Sequence, residues 1–180
     1  GGFRNIAVLR LAPLGDIVLT LPVVHALARA WPDADLRYWV KEEYADLVRF
    51  DPAVRHVRVL ERDARRVEDL VSMSAELEDC DLIVDLHGSA RTRLLTFRQK
   101  ATLLRVRGRR LARERWVRAR WTRPAPLPHA TARYAEVVAS LGLAPTAPPR
   151  VYTSETARGW ARESLTALAN GRLCVALCPG

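Results

Sequence analysis

The sequence predicts a Rossmann-like α/β domain, a doubly wound parallel sheet with helices on both faces. Three observations predict it. Short apolar runs with little polar alternation recur along the first half of the chain, the pattern of strands buried on both faces. Helical stretches lie between these runs, so strand and helix alternate. Glycine- or proline-bearing turns follow the strand-like runs, where right-handed crossovers leave a parallel sheet.

Asn5-Ile6-Ala7-Val8-Leu9-Arg10-Leu11 is the first of these runs. After the Pro13–Asp16 turn, residues 17–31 read as a helix stopped by Trp31-Pro32-Asp33, with Pro22 either kinking its first turns or marking its true start. Leu36-Arg37-Tyr38-Trp39-Val40 is the second strand, 42–50 a short helix, and 54–60 a third strand of alternating character. Residues 66–78 carry Val67, Leu70, Val71, Ser74 and Leu77 on one helical stripe. Asp81-Leu82-Ile83-Val84-Asp85-Leu86 is the next buried strand, His87-Gly88-Ser89 a turn, 90–97 a helix and 101–106 a further strand. Residues 131–141 form a helix ended by Gly142, and the proline-rich stretch 143–150 reads as a linker. Ser154 is placed to cap a helix running to Ala169 and ending at Asn170-Gly171, and 173–178 reads as a last strand before Pro179-Gly180.

A chain of 180 residues, 49% of them hydrophobic, holds one domain or one domain and part of another. No apolar run approaches the ~18 residues of a membrane span. Gly1-Gly2-Phe3-Arg4 leads straight into a strand-like run, unlike a secretory leader. Cys80, Cys174 and Cys178 are too few, and odd in number, for a disulfide framework; they fit reduced thiols in a cytoplasmic protein, with Cys174 and Cys178 read as small buried hydrophobes. Charge is unevenly spread. Between Arg91 and Arg123 stand thirteen Lys and Arg against one acid, Glu114, a net +12, leaving −3 for the rest of a chain whose total is +9. One basic face on an ordinary domain implies an anionic partner: nucleic acid, phosphorylated headgroup or acidic membrane surface. Trp116 and Trp121 within this segment would suit either base stacking or a membrane interface; a merely solvated arginine-rich surface is the plain alternative.

In a doubly wound fold, ligands sit outside the carboxyl ends of the strands. Two turns fall there. In the first, Gly15 allows a tight turn and leaves room for a ligand, and Asp16 is either a general base or the N-cap of the next helix. Arg10–Leu21 contains one glycine and no Walker lysine follows, which argues against a simple NAD or ATP site here. In the second turn, Gly88 permits close approach, and Arg91 and Arg93 offer paired donors to phosphate or carboxylate; equally, Ser89 caps a helix and the arginines are solvated. His87 has no partner at metal spacing and is read as a structural group or a polar ligand contact.

Together these residues resemble the ADP-heptose:lipopolysaccharide heptosyltransferases, glycosyltransferase family 9. Arg10-Leu11-Ala12-Pro13-Leu14-Gly15-Asp16-Ile17-Val18-Leu19-Thr20-Leu21-Pro22 is similar to that family's opening motif. Asp81-Leu82-Ile83-Val84-Asp85-Leu86-His87-Gly88 is similar to its second signature, with His87 where glutamine is commoner. His129, Arg133, Tyr134 and Leu141-Gly142-Leu143 match a third segment, and Ala176-Leu177-Cys178-Pro179-Gly180 the first strand and turn of its carboxy-terminal domain. The resemblance implies a GT-B architecture. Residues 1–142 would be the Rossmann-like acceptor-binding domain, 143–153 the linker and 154–180 the start of the donor-binding domain. It implies heptosyl transfer from ADP-heptose to the inner core of lipopolysaccharide, inverting and independent of metal or cofactor, with Asp16 as general base. Gly15, His87, Gly88, Ser89, Arg91 and Arg93 would border an anionic, lipid-linked sugar acceptor. The protein would be cytoplasmic, or peripheral at the inner membrane. ADP-heptose would bind the other half, so this chain alone is expected to transfer no sugar, and residues 154–180 are expected either to dock on a second copy or to rearrange. The departure at His87 and the basic segment keep two alternatives open: a GT-B transferase for another cell-surface glycan, and a basic nucleic-acid-binding α/β module.

Overall fold

A computed structural model of the chain describes residues 2–60, 72–107 and 129–177. Five parallel strands form one sheet: β1 (Asn5–Leu9), β2 (Asp35–Lys41), β3 (His56–Leu60), β4 (Leu82–Asp85) and β5 (Thr102–Arg105), in the order β3-β2-β1-β4-β5. The Rossmann-like α/β fold predicted from the sequence is the fold observed. β1 lies at the centre; the chain extends the sheet to one side of it through β2 and β3 and to the other through β4 and β5, so the strand order reverses between β1 and β4.

The central strands β1 and β4 lack alternation because each face of the sheet meets a packed layer there. On one face, Ile6, Val8, Leu36, Tyr38, Val40, Leu82 and Val84 pack against Ile17, Leu21, Val24 and Leu27 of α1 (Leu14–Ala30) and against Tyr134 and Val138 of the helix at Ala130–Ala139. On the other, Ala7, Leu9, Trp39 and Ile83 meet Leu77, Cys80 and Leu95. Odd and even positions of β1 therefore serve different cores. Tyr38 is fully buried, and its hydroxyl shares a 2.7 Å hydrogen bond with the Thr20 hydroxyl, which also donates to the Ile17 carbonyl at 2.6 Å. Burial pushes that phenol well above its ordinary range, so it remains a neutral core group.

Several boundaries differ from the expectations. Helix α1 begins at Leu14, three residues before the predicted start, and runs through Pro22. The hydrogen bond that Pro22 deletes is outweighed by the apolar face on either side of it. The stretch after β2 is a 3₁₀ turn (Glu42–Tyr44) followed by the short helix α2 (Asp46–Arg49), not one helix. Residues 72–75 are helical, but 66–71 of the predicted helix, the basic segment 108–128 with both tryptophans, and Cys178–Gly180 lie outside the described residues. α3 (Ala90–Leu95), α4 (Ala130–Ala139) and α5 (Glu155–Ala169) follow the prediction within two residues at each end. Ser154 caps α5 by accepting from the Ala157 N–H at 3.1 Å, and Asn170 ends it in the left-handed region at φ +41°. The final strand is not formed among residues 173–177, which are exposed; Cys174 is exposed with them, contrary to its reading as a buried hydrophobe. A strand needs a neighbour to complete its hydrogen bonds, and no described strand lies beside this segment. α5 likewise buries none of its residues, leaving Trp160, Leu165 and Leu168 exposed.

Gly88 is held at φ +64°, and a Cβ there would stand 3.1 Å from both Val106 Cγ1 and the Val106 carbonyl oxygen. Gly142 has a similar φ of +73° with open space around it. Gly88→Ala should therefore lower unfolding stability by at least ~2 kcal/mol, against ~1 kcal/mol for Gly142→Ala, measured by urea unfolding. Equal losses would show that the contact with Val106 carries no constraint.

Candidate functional site

The crevice at the reversal between β1 and β4 is where a doubly wound sheet binds ligands. Leu9 and Asp85 end these two strands side by side. The next residue after β1, Arg10, is buried and reaches across the crevice: its Nη1 donates to the Leu86 carbonyl at 2.6 Å, and its Nη2 donates to Asp16 Oδ2. Its guanidinium also lies 5.5 Å from the centre of the Tyr134 ring. Tyr134 comes from α4, 118 residues from Asp16, and its hydroxyl donates to Asp16 Oδ1 at 2.8 Å. Both oxygens of the Asp16 carboxylate are thus held by donors while the side chain keeps about a third of its surface exposed (31%).

Asp16 sits in the first turn of α1, not at its N-cap; that position is Pro13, which has no side-chain hydrogen bond to offer. The helix's own N–H groups there favour a carboxylate. Leu14-Gly15-Asp16 is accordingly helical, which corrects the expected turn. Gly15 is exposed, and a Cβ at this position would meet nothing within 4 Å. The fold does not demand glycine here for tight turning; the surface over the helix start is open. Burial pushes the Tyr134 hydroxyl up to about 12, with the Arg10 charge opposing and the Asp16 hydrogen bond adding. It is a fixed proton donor at neutral pH.

A second carboxylate organises the other turn. Asp85 is fully buried; its Oδ1 accepts from the N–H groups of His87 (3.0 Å) and Gly88 (2.9 Å), and its Oδ2 accepts from Arg105 Nε at 2.7 Å. The His87–Gly88 turn is therefore folded around Asp85. His87 is half-buried, with a buried Nδ1 that has no partner among the described residues. Burial first, then the Arg10 charge, holds its imidazole below the usual range; the Asp85 charge opposes. Ser89 is occupied: it caps α3, accepting from the Thr92 N–H at 3.2 Å, while Thr92 Oγ1 accepts from the Ser89 N–H at 3.1 Å. The capping alternative for Ser89 is thus the one realised. Arg91 and Arg93 follow on α3, half-buried and exposed respectively, and neither is bonded to Asp16 or His87. Among the described residues, no three His, Cys, Asp or Glu side chains gather as a metal site.

The structure thus brings Asp16, Gly15, His87 and Gly88 to the strand ends of one crevice, while Arg91 and Arg93 follow on α3 with no bond to that group. Sequence reasoning missed Arg10, Tyr134, Asp85 and Arg105 as site residues. Arg10 and Asp85 did carry a signal, since each is a charge within an otherwise apolar strand run. Tyr134 carried only its place in the third family-like segment, which did not reveal its bond to the distant Asp16.

Two measurements test this geometry. Tyr134→Phe should cost about 1 kcal/mol of stability. Arg10→Met should cost ~2 kcal/mol or more, since it strips donors from both Asp16 and the Leu86 carbonyl; the partial exposure of Asp16 moderates the loss. An Arg10→Met protein as stable as wild type would mean that the guanidinium does not tie the crevice together. The second concerns pH. A histidine pKa lowered on folding means that the unfolded chain takes up the proton more readily. Its stabilising contribution is present above the ordinary value of 6.5 and is lost as pH falls below it. From about pH 7.5 to 5, His87→Gln should lose stability less steeply than wild type; parallel curves would exclude His87 as a source of the slope.

The sequence matches no protein-family model and no curated protein. Solved structures do match its fold. A glycosyl transferase family 9 protein from Veillonella parvula DSM 2008 is similar with a TM-score of 0.70 at 22% identity, over 92% of this chain and 50% of that one. The E. coli ADP-heptose lps heptosyltransferase II is similar with a TM-score of 0.58 at 15% identity, over 90% and 50% of the two chains. The E. coli heptosyltransferase WaaC with ADP gives 0.55 at 20% identity, over 83% and 50%. The chain spans about half the length of these proteins. It has the fold of half of a family 9 glycosyltransferase, as the sequence resemblance implied.

Proposed function

We propose that the chain is the acceptor-binding half of a glycosyltransferase that moves heptose from ADP-heptose to the inner core of lipopolysaccharide. The observation that carries this reading is the Asp16 carboxylate, held between Arg10 and Tyr134 at the mouth of the β1/β4 crevice and still open to solvent. A base that must receive an acceptor proton needs a fixed orientation and a free lone pair, and this arrangement leaves both. The shared fold supports the substrate class.

In the proposed reaction the acceptor hydroxyl attacks the anomeric carbon of the donor. The new C–O bond forms on the face opposite the departing ADP, the hydroxyl proton passes to Asp16, and the glycosidic electron pair leaves with the diphosphate. Inversion follows from that geometry, and no metal enters the scheme. Charge on the leaving group is stabilised by the donor-binding half, of which α5 would be the first element. His87 and Gly88 border the acceptor, with Arg91 and Arg93 of α3 offered to its anionic groups. The acceptor would bring the protein to the cytoplasmic face of the inner membrane. No helix among the described residues is long and apolar enough to cross a membrane.

By isothermal titration, the chain should bind inner-core lipopolysaccharide oligosaccharide. With acceptor and ADP-heptose it should release no ADP until a donor-binding half is supplied as a second polypeptide. Asp16→Asn should then lower the transfer rate about 10²–10⁴-fold with acceptor affinity retained. Steady ADP release by the chain alone would overturn the half-site reading. Absence of acceptor binding, together with steeply salt-dependent RNA binding, would favour a nucleic-acid module instead.

A further inference from the structure

The carboxyl end of α3 presents apolar side chains where a soluble surface normally hides them. Phe97 is 80% exposed and Leu94 48%, one helical turn apart, while Thr92, Leu95 and Thr96 on the opposite side are buried. Arg93, Arg98 and Lys100 are exposed around them. No acidic residue occurs in the sequence between Asp85 and Glu114, so the stretch that carries these cations is uniformly basic.

The exposure of Phe97 does not come from a loosely held end. The residues on either side of it are tied down. Thr96 Oγ1 donates to the Thr92 carbonyl at 2.8 Å and accepts from Arg105, whose own Nε is bonded to the buried Asp85. Gln99 Nε2 donates to the Ser74 carbonyl (2.7 Å) and is 2.9 Å from Ser74 Oγ, which in turn donates to the Leu95 carbonyl at 2.9 Å. Phe97 therefore lies in a turn whose flanking residues Leu95, Thr96 and Gln99 are tied by five hydrogen bonds.

We propose that Leu94 and Phe97, ringed by Arg93, Arg98 and Lys100, form a docking face for an anionic lipid bilayer. An apolar tip enters the acyl boundary while cations meet headgroup phosphates, the two contributions that peripheral membrane binding combines. Nucleic acid fits less well: an exposed aliphatic side chain such as Leu94 offers nothing to base stacking. The inference does not rest on the transferase reading, since it names no sugar acceptor.

Co-sedimentation of the full chain with vesicles tests it. Vesicles of phosphatidylcholine containing roughly one third phosphatidylglycerol should capture the protein, and pure phosphatidylcholine should not. Phe97→Gln should weaken capture about tenfold, and the pair Arg98→Gln with Lys100→Gln should weaken it at least fivefold, with the wild-type signal falling as salt rises. Both variants lie on the surface, and unchanged thermal melting would show that they fold. No capture of wild type would overturn the proposal. So would equal capture of wild type and folded Phe97→Gln, or displacement of the protein by single-stranded RNA with no effect of Phe97→Gln on the RNA affinity. Because the vesicles contain no lipopolysaccharide, failure of the transferase reading would leave this result intact.

Discussion

Much of this structure turns on where one buried cation is placed. Arg10 leaves the central strand at its carboxyl end and lies across the point where the sheet reverses direction. A guanidinium removed from water must find acceptors, or its desolvation goes uncompensated. Arg10 finds them in the Leu86 carbonyl beyond β4 and in the Asp16 carboxylate of α1. One side chain therefore fixes the separation of two strands and the orientation of a helix. It also brings in α4, because the carboxylate it holds is the one that Tyr134 donates to.

The same charge sets the chemistry around it. It opposes the upward shift of Tyr134, which burial nevertheless dominates, so the phenol keeps its proton and can only donate to Asp16. After burial, it is the main influence that lowers the proton affinity of His87. Asp85 takes a different role from Asp16, and burial decides which. Fully enclosed and saturated by two backbone N–H groups and Arg105, Asp85 shapes a turn. Partly exposed and held at each oxygen by one donor, Asp16 can still meet a ligand. Access to water, not residue type, separates the buried Asp85 at the end of β4 from the partly exposed Asp16 in the first turn of α1.

Legibility in the sequence followed the range of the interactions. The parallel sheet was readable because strands buried on both faces carry unbroken apolar runs, as β1 does over Ile6–Leu9 and β4 over Leu82–Val84. Gly142 and Asn170 ended helices as local stereochemistry requires, both with positive φ. The start of α1 was misplaced because Pro13 and Gly15 are breaker residues when read locally, whereas at the first turn of a helix proline and glycine are tolerated. The strand expected at 173–178 failed for the converse reason: local propensity was sufficient, but a pairing partner is a non-local requirement. Asp16 was identified through motif resemblance, but the reason it is held in place was not, because Tyr134 arrives from α4 and Arg10, though part of the same motif, was given no role toward Asp16.

The Asp85–Arg105–Thr96 chain connects the crevice to the proposed membrane face. Asp85 shapes the His87–Gly88 turn at one end, and through Arg105 it holds Thr96, one residue before Phe97, at the other. Between them α3 is fixed at its start by the Ser89–Thr92 capping box. A helix held at both ends to one buried carboxylate cannot shift relative to the crevice without breaking charged hydrogen bonds, the costliest kind to lose. Whatever surface receives Phe97 therefore stands in a fixed relation to Asp16. For an enzyme whose acceptor sugar is attached to a lipid, such rigidity would set how far above the bilayer its base operates.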